Sequence, residues 1–330
     1  MEAAAALAEI AYLLRRRPGD AHRARAYSRA AGVLLRDSPD LGRLAAEGRL
    51  TELEGVGSGI EKTLQELLGW GPSSYLEKLR EEAPEGPPGA GLDLGGYQGD
   101  LHVHSTWSDG RASILEMALA ARGRGYRYLA FCDHSPRIKV VNGLDADRLR
   151  RQAEEIAAAR EAVPGLSLLQ GIEVDILEDG ALDLPDEVLA GLDVVVASPH
   201  VGLRMERGAM TARMLRAVES PHVDLVGHPT GRRLGSREPA DYDYELVFGR
   251  AAELGTALEI DCDPARMDLS PELAGLAAGL GCRLALDSDA HDTAELANVP
   301  LGKWMAERAG VGPERLLNFL PLSELRRALA

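Results

Sequence analysis

From residue 97 onward, short apolar runs alternate with helical stretches, and this alternation constrains the fold more than any other feature. The runs are DLHVH, YLAFCDH, LSLLQGIEVD, DVVVASPH, VDLVGHP, ALEID and RLALDSDAH. Helix-period segments at 112–123, 145–161, 208–219, 242–254 and 270–280 fall between most of them. A strand followed by a covering helix returns the chain to the same end of the sheet, so successive strands run parallel. Seven such units predict a closed α/β barrel, with an open doubly wound sheet as the competing arrangement. Aromatic residues make up only 4% of the chain, so Leu, Val, Ala and Ile must fill the core.

The polar residues of these runs repeat a pattern. Of the eight histidines, His102, His104, His134, His200, His228 and His291 each sit at or just after the C-terminal end of a run. Asp109, Glu173 and Asp289 share that context. In a parallel barrel all strand C-termini open on one face, so nine residues distant in sequence converge there. One strand-end histidine is ordinarily a hydrogen-bonded structural residue. Six imidazoles and three carboxylates buried at one rim are costly unless cations compensate them. Neutral imidazoles and ionised carboxylates suit Zn²⁺, Mn²⁺ or Fe²⁺. No cysteine stands among these strand-end donors, which argues against a Cys-type structural zinc site. His22 and His222 have no motif around them and read as structural or surface residues.

Residues 1–83 have a different texture. Ala and Leu recur at helical spacing over 2–17, 20–36, 38–48 and 60–68, with a further short helix over 73–82, and Asp20 and Ser38 are placed to cap. LEGVGSGIEKTLQELL (53–68) fits a helix–hairpin–helix pattern. Gly55 and Gly57 make the tight turn, and Gly59 leaves room for backbone to approach a phosphate at the next helix's N–H groups. A glycine-rich turn between two packed helices gives the same letters. Pro and Gly then dominate 84–96, which reads as a linker to a second domain over 97–330. Net charge is −15, mostly beyond residue 83, which argues against broad polyanion binding. The three cysteines lack C-x-x-C spacing and read as reduced thiols. Glu2 and Glu9 break any signal-peptide pattern and no apolar run spans a membrane, so a cytoplasmic location is expected.

The motifs His102-x-His104, Asp109, His134, Glu173, His200, His228 and Asp289-x-His291 resemble the polymerase and histidinol phosphatase (PHP) family over about 95–330. GDLHVHSTWSDG, GIEVDIL, LPDEVL, VVVAS, GHPTGR and LGSREP are most similar to the PHP module at the C-terminus of bacterial family X DNA polymerases. Residues 1–83 resemble the small DNA-binding domain of those enzymes, which implies DNA contact through Gly55, Gly57 and Gly59.

The resemblance implies a distorted (β/α)7 barrel of PHP type, preceded by a small all-α helix–hairpin–helix domain. It also implies three divalent metal ions (Mn²⁺, Zn²⁺ or Fe²⁺). His102, His104, Glu173 and Asp289 would hold one; Glu173 would bridge to a second with His200 and His228; Asp109, His134 and His291 would hold the third. Closely spaced cations supply hydroxide at neutral pH and stabilise charge on a phosphate ester. Glu173 and Asp289 would then stand at the reacting centre. Arg232, just past His228, is the candidate phosphate clamp, with Arg233, Arg237, Arg137 and Lys139 as further candidates.

Four positions depart from the family pattern. Asp261 and Asp263 stand where polymerase-linked modules usually have Asn, Asp287 where a neutral polar residue is common, and Pro199 precedes His200. In lyase-competent relatives a Schiff-base lysine follows the hairpin. Here that position is Thr63, and Lys62 points about 100° away, so no deoxyribose-phosphate lyase activity is expected. The linker is too short for a polymerase palm and thumb, so no polymerising activity is expected. The leading expectation is a metal-dependent phosphoesterase acting on DNA: a 3′→5′ exonuclease, or a processor of 3′ ends or abasic sites. The alternatives are a small-molecule phosphatase of the histidinol-phosphatase type and a non-catalytic DNA-binding protein with an idle barrel. Metal identity and oligomeric state do not follow from the sequence.

Overall fold

A computed structural model describes residues 2–15, 17, 20–37, 39–69, 73–82 and 95–329. The chain divides into two compact units, Met1–Asp93 with Leu234–Ser236, and Leu94–Arg233 with Arg237–Ala330. Most of the 84–96 linker and the proposed cap Ser38 lie outside the described residues.

Among its described residues the first unit holds five α-helices: α1 (Glu2–Arg15), α2 (Ala21–Asp37), α3 (Leu41–Ala46), α4 (Ser58–Leu68) and α5 (Ser74–Glu82). Asp40 caps α3, its carboxylate accepting from the Arg43 N–H at 3.0 Å. Leu7, Ile10, Leu14, Leu50, Leu64 and Leu76 are buried, one apolar stripe from each of four helices or turns. Thr63 is buried, with Tyr27 Oη 3.2 Å from its hydroxyl, while Lys62 is exposed.

The second unit is built on seven parallel strands: β1 (Gly99–Val103), β2 (Tyr128–Phe131), β3 (Ser167–Asp175), β4 (Val194–Ser198), β5 (Leu225–Val226), β6 (Ala257–Asp261) and β7 (Leu284–Asp287). They are ordered β1-β2-β3-β4-β5-β6-β7, and a parallel bridge from Val103 to Ala290 joins the first edge to the last. Sequential order with joined edges makes a nearly closed barrel and excludes the doubly wound sheet, whose strand order reverses. The covering helices are α6 (Ile114–Gly123), α7 (Ala146–Ala162), α8 (Asp186–Leu189), α9 (Arg207–Val218), α10 (Tyr244–Leu254), α11 (Pro271–Gly279), α12 (Val299–Arg308) and α13 (Leu322–Ala328). Ser113 and Glu116 close a reciprocal capping box on α6, and Ser270 caps α11 ahead of Pro271.

One buried cluster draws residues from all seven strands, including Leu101, Ala130, Leu169, Val196, Leu225, Ala257 and Ala285. A cluster with that membership is the barrel interior. Side chains alternate along a strand, so two or four residues further on the same face carries different chemistry. Ala130 leads to Cys132 and His134, Leu169 to Glu173, Ala257 to Glu259 and Asp261, and Ala285 to Asp287 and Asp289. The interior is therefore apolar towards the strand starts and ionisable towards their C-terminal ends. β1 breaks the alternation. Leu101 belongs to the interior cluster, yet the next residue, His102, also turns towards Glu173, with Nε2 3.7 Å from Oε1. Consecutive residues share a face only at a bulge, and the β1–β2 register shifts between Asp100 and Val103.

Candidate metal centre

Glu173, completely buried at the end of β3, is the hub. Its carboxylate lies 2.8 Å from His228 Nε2, 3.1 Å from His200 Nε2 and 2.7 Å from His134 Nδ1. His102 Nε2 and His104 Nε2 stand 3.7 Å away. Asp289 Oδ1 lies 2.9 Å from His104 Nε2. Asp109 Oδ2 is 3.5 Å from His134 Nε2, and its Oδ1 is 3.4 Å from His291 Nε2. All nine residues predicted from their strand-end context thus meet in one pocket.

Three subsets have donor atoms close enough to share an ion: His104, Asp109, His134 and His291; His102, His104 and Asp289; and His134, Glu173 and His200. His104 and His134 each serve two subsets. His228 reaches the centre through Glu173.

The donor set fits cations on its own physical grounds. His102 Nε2, both nitrogens of His104, His134 Nδ1, His200 Nε2 and Glu173 Oε2 are buried without a hydrogen-bond partner. His134 Nδ1 and Glu173 Oε2 approach to 2.7 Å without hydrogen-bond geometry. Lone pairs converging on one volume are strongly unfavourable in a dry interior unless positive charge occupies it, as bound cations or as protons on His134 and His291, which, against burial, Glu173 and Asp289 respectively raise to about 10 and about 9. Burial, with His291 and His134 beside it, pushes His104 down to about 3; burial, with Arg266 beside it, does the same to His228. Both imidazoles are therefore neutral and available as ligands. Burial opposes ionisation of Glu173 and Asp289, yet the surrounding histidines hold both well below the carboxylate range.

Further groups orient the donors. His102 Nδ1 is 2.7 Å from Glu259 Oε1, and His200 Nδ1 is 3.0 Å from Asp175 Oδ1. An N–H donated to each carboxylate leaves Nε2 of the same ring bare and aimed at the centre. Glu259 Oε2 also accepts from the His228 backbone N–H at 2.5 Å. Asp133 accepts from the hydroxyls of Ser105 and Ser108, fixing the loop that carries Asp109. Glu259, Asp175 and Asp133 are not among the residues that strand-end context singles out in the sequence. Period two along β6, counted back from Asp261, was the available signal for Glu259.

The arginines are distributed differently from the expectation. Arg232 spends its guanidinium on the carbonyls of Arg266, at 3.1 Å from Nε, and Met267. Arg237 donates to the Gly231 carbonyl at 2.6 Å. Arg266, which the sequence did not single out, is buried with Nε 3.4 Å from Asp261 Oδ2 and 3.5 Å from Asp289 Oδ2. Its Nε and Nη1 have no hydrogen-bond partner. Asp261 Oδ1 caps its own loop through the Asp263 N–H, and Asp287 holds the Leu101 N–H at 2.8 Å.

The hairpin glycines differ among themselves. Gly55 has φ +77, which requires glycine in the turn. Gly57 begins α4 in extended backbone and Gly59 lies within it, and a Cβ at either would meet nothing within 4 Å. The three cysteines are free and buried, and among the described residues no helix is long and apolar enough to cross a membrane.

Comparison with known proteins agrees with this layout. Residues 1–71 match a helix-hairpin-helix domain family and residues 100–239 match the PHP domain family. The chain is 40% identical to the DNA polymerase/3'-5' exonuclease PolX of Bacillus subtilis, over 72% of this chain and 42% of that protein. It therefore spans less than half of that relative's length. It is 31% identical to a probable phosphatase of Syntrophotalea carbinolica, over 66% of this chain and 90% of that one. The crystal structure of histidinol phosphate phosphatase from Lactococcus lactis, with zinc, L-histidinol and phosphate, is similar at a TM-score of 0.49 and 16% identity, over 66% of this chain and 95% of that one. With the PHP match over 100–239 and a relative 31% identical and covered over 90% of its length, the chain belongs to the PHP family of metal-dependent phosphoesterases and carries a helix-hairpin-helix domain ahead of its barrel.

Proposed function

We propose that this phosphoesterase acts on DNA, removing nucleotides or blocking groups at 3′ ends or opening abasic sites. The observation that carries the reading is the union, in one chain, of a centre where eight residues could share ions, with His228 against Glu173, and a hairpin whose second and third glycines would meet nothing with a Cβ among the described residues. Where no neighbouring atom excludes a Cβ and φ is ordinary, an incoming phosphate is a sufficient reason for glycine. The similarity to a polymerase that is also a 3'-5' exonuclease supports the same reading.

In this proposal His102, His104, Glu173 and Asp289 hold one divalent cation, Glu173 with His200 and His228 a second, and Asp109, His134 and His291 a third. When bound, such cations acidify a water and attract the oxygens of a phosphoester. The protein's own groups do the rest. Glu259 and Asp175 keep a proton on Nδ1 of His102 and His200, so that Nε2 stays a ligand. Arg266 pairs its Nε with Asp261 and Asp289 and presents Nη1 without a hydrogen-bond partner, for a non-bridging phosphate oxygen. Arg232 positions Arg266 by bonding its carbonyl. The apolar layer beneath the centre keeps water out from below.

The test is incubation of the purified protein, loaded with Mn²⁺, with recessed, 3′-phosphate and abasic duplexes, alongside a small phosphomonoester. Processing of at least one DNA substrate is expected. Turnover of the monoester alone overturns the DNA reading and leaves the small-molecule phosphatase, which the similarity to probable phosphatases favours.

A further inference from the structure

We propose that the rim beside Asp109 is a landing surface for a single-stranded DNA end, with Trp107 as its stacking platform. This rests on the DNA reading above and specifies how the strand is held. Trp107 lies two residues before Asp109 and is partly exposed. Its backbone is fixed from below: the Ser105 and Ser108 hydroxyls donate to Asp133 at 2.7 and 2.5 Å. Its indole is fixed from the side: Nε1 donates to Glu155 at 2.7 Å. The Arg148 and Arg151 guanidinium carbons stand 5.6 and 5.9 Å from its ring centroid.

Arg148 also ties this loop to the one that follows β2. It donates to the Trp107 carbonyl at 2.5 Å, to the Gly143 carbonyl at 2.9 Å and to the Asn142 carbonyl. That second loop begins at His134 and carries Lys139 and Val140. Val140 is 92% exposed, the most solvated large apolar side chain in the described structure. Lys139 and Arg151 are exposed, and neither forms an ion pair with a described residue.

Each feature taken singly is ordinary: exposed valines occur, and surface cations are mostly solvated. Together they make one rigid rim that joins an aromatic face, an apolar side chain and two unpaired cations beside the phosphoester centre. Residues 137–155 carry five basic and four acidic side chains in a chain of −15, so this mouth is locally near neutral where the chain as a whole is acidic. A nucleic acid strand is complementary to all three components. Its bases stack on aromatic and guanidinium planes, and its phosphates pair with the cations. A small phosphate ester lacks the run of phosphates and bases that would engage all three at once.

The experiment compares kcat/KM on a single-stranded oligothymidylate with kcat/KM on bis(p-nitrophenyl) phosphate. Wild type, Trp107→Ala and the double variant Lys139→Glu/Arg151→Glu are measured. The ratio of the two constants falls about tenfold in each variant, the scale of one lost base stack or of two reversed charges, and the loss lies in KM for the oligonucleotide. Trp107→Phe, which keeps a π face, restores most of the ratio. If Trp107→Ala misfolds, the exposed double variant still decides. An unchanged ratio in the folded variants overturns the rim, including the case where it serves a protein partner, while leaving DNA hydrolysis intact. A wild type that turns over the p-nitrophenyl ester but no oligonucleotide overturns the DNA reading itself.

Discussion

Glu259→Gln isolates the orienting layer of the centre from the ligands themselves. Two donors converge on this carboxylate: the His102 ring at 2.7 Å and the His228 backbone N–H at 2.5 Å. A carboxylate accepts both. A glutamine amide has one oxygen and one NH₂, so it satisfies one donor and opposes the other. Either a buried charge-assisted hydrogen bond is lost, or His102 moves its proton to Nε2 and ceases to be a ligand. The first outcome costs about 1.5–3 kcal/mol. At 1.4 kcal/mol per decade that is roughly 10- to 100-fold in metal affinity, which matches what loss of an orienting partner typically costs. The assay is metal content by mass spectrometry after equilibration with graded chelator, with circular dichroism of the metal-free variant to establish that the barrel is intact. Unchanged affinity in a folded Glu259→Gln protein refutes the claim that this side chain sets the proton on His102.

Three more outcomes are expected. Arg266→Gln lowers kcat/KM by roughly 10- to 100-fold and weakens inhibition by inorganic phosphate by a similar factor; an unmoved inhibition constant reduces Arg266 to the counter-ion of Asp261 and Asp289. Gly59→Ala raises the thermal stability of the helical unit by up to about 1 kcal/mol, because its Cβ enters open space on a helix, yet weakens binding of the unit's DNA, read by fluorescence anisotropy; unchanged DNA affinity removes Gly59 from the contact. Burial pushes the Asp224 carboxyl up to about 7 from an ordinary 3.8. The folded protein then holds a proton between pH 4 and 7 that the unfolded chain has released, so this residue's contribution to stability falls as pH rises through that window. Denaturant titrations of Asp224→Asn should show a flatter pH dependence there, and a profile identical to wild type contradicts the burial argument.

The features legible in the sequence were those written in its periodicities. Period two plus strand-end polarity located the strands of the barrel, and the helix periods placed α7 and α10 within two residues of their observed ends. The features that stayed hidden depend on partners far apart in the chain. His102 faces the interior beside Leu101 because of a register shift that no local pattern encodes. Arg232 looked like a phosphate clamp because it follows His228, but the 266–267 carbonyls occupy it. Arg266 looked like an ordinary loop residue until Asp261 and Asp289 came up on either side of it. The short helix α8 and the C-terminal helices α12 and α13 are not among the elements read from the sequence. For α13 packing supplies the place, as Leu325 shows by joining the barrel-interior cluster.

Backbone conformation adds a reason why the centre holds its shape. His228 has φ +27 and Asp289 has φ +49, a region that side-chain-bearing residues seldom adopt and that costs about 1–3 kcal/mol each. Both lie two residues beyond the last residue of their strands, Val226 and Asp287, so the turn rather than the sheet fixes their backbone. Local contacts maintain the conformation. The His228 N–H is held by Glu259 and its carbonyl accepts from Gly231 at 2.8 Å, while the Asp289 carbonyl lies 2.7 Å from His291 Nδ1. Glu259 thus does two things with one carboxylate: it sets the proton on His102 and stabilises the backbone twist at His228. A centre built this way has its donors positioned by the fold, and the strain at His228 and Asp289 is met by hydrogen bonds that Glu259, Gly231 and His291 make to those same residues.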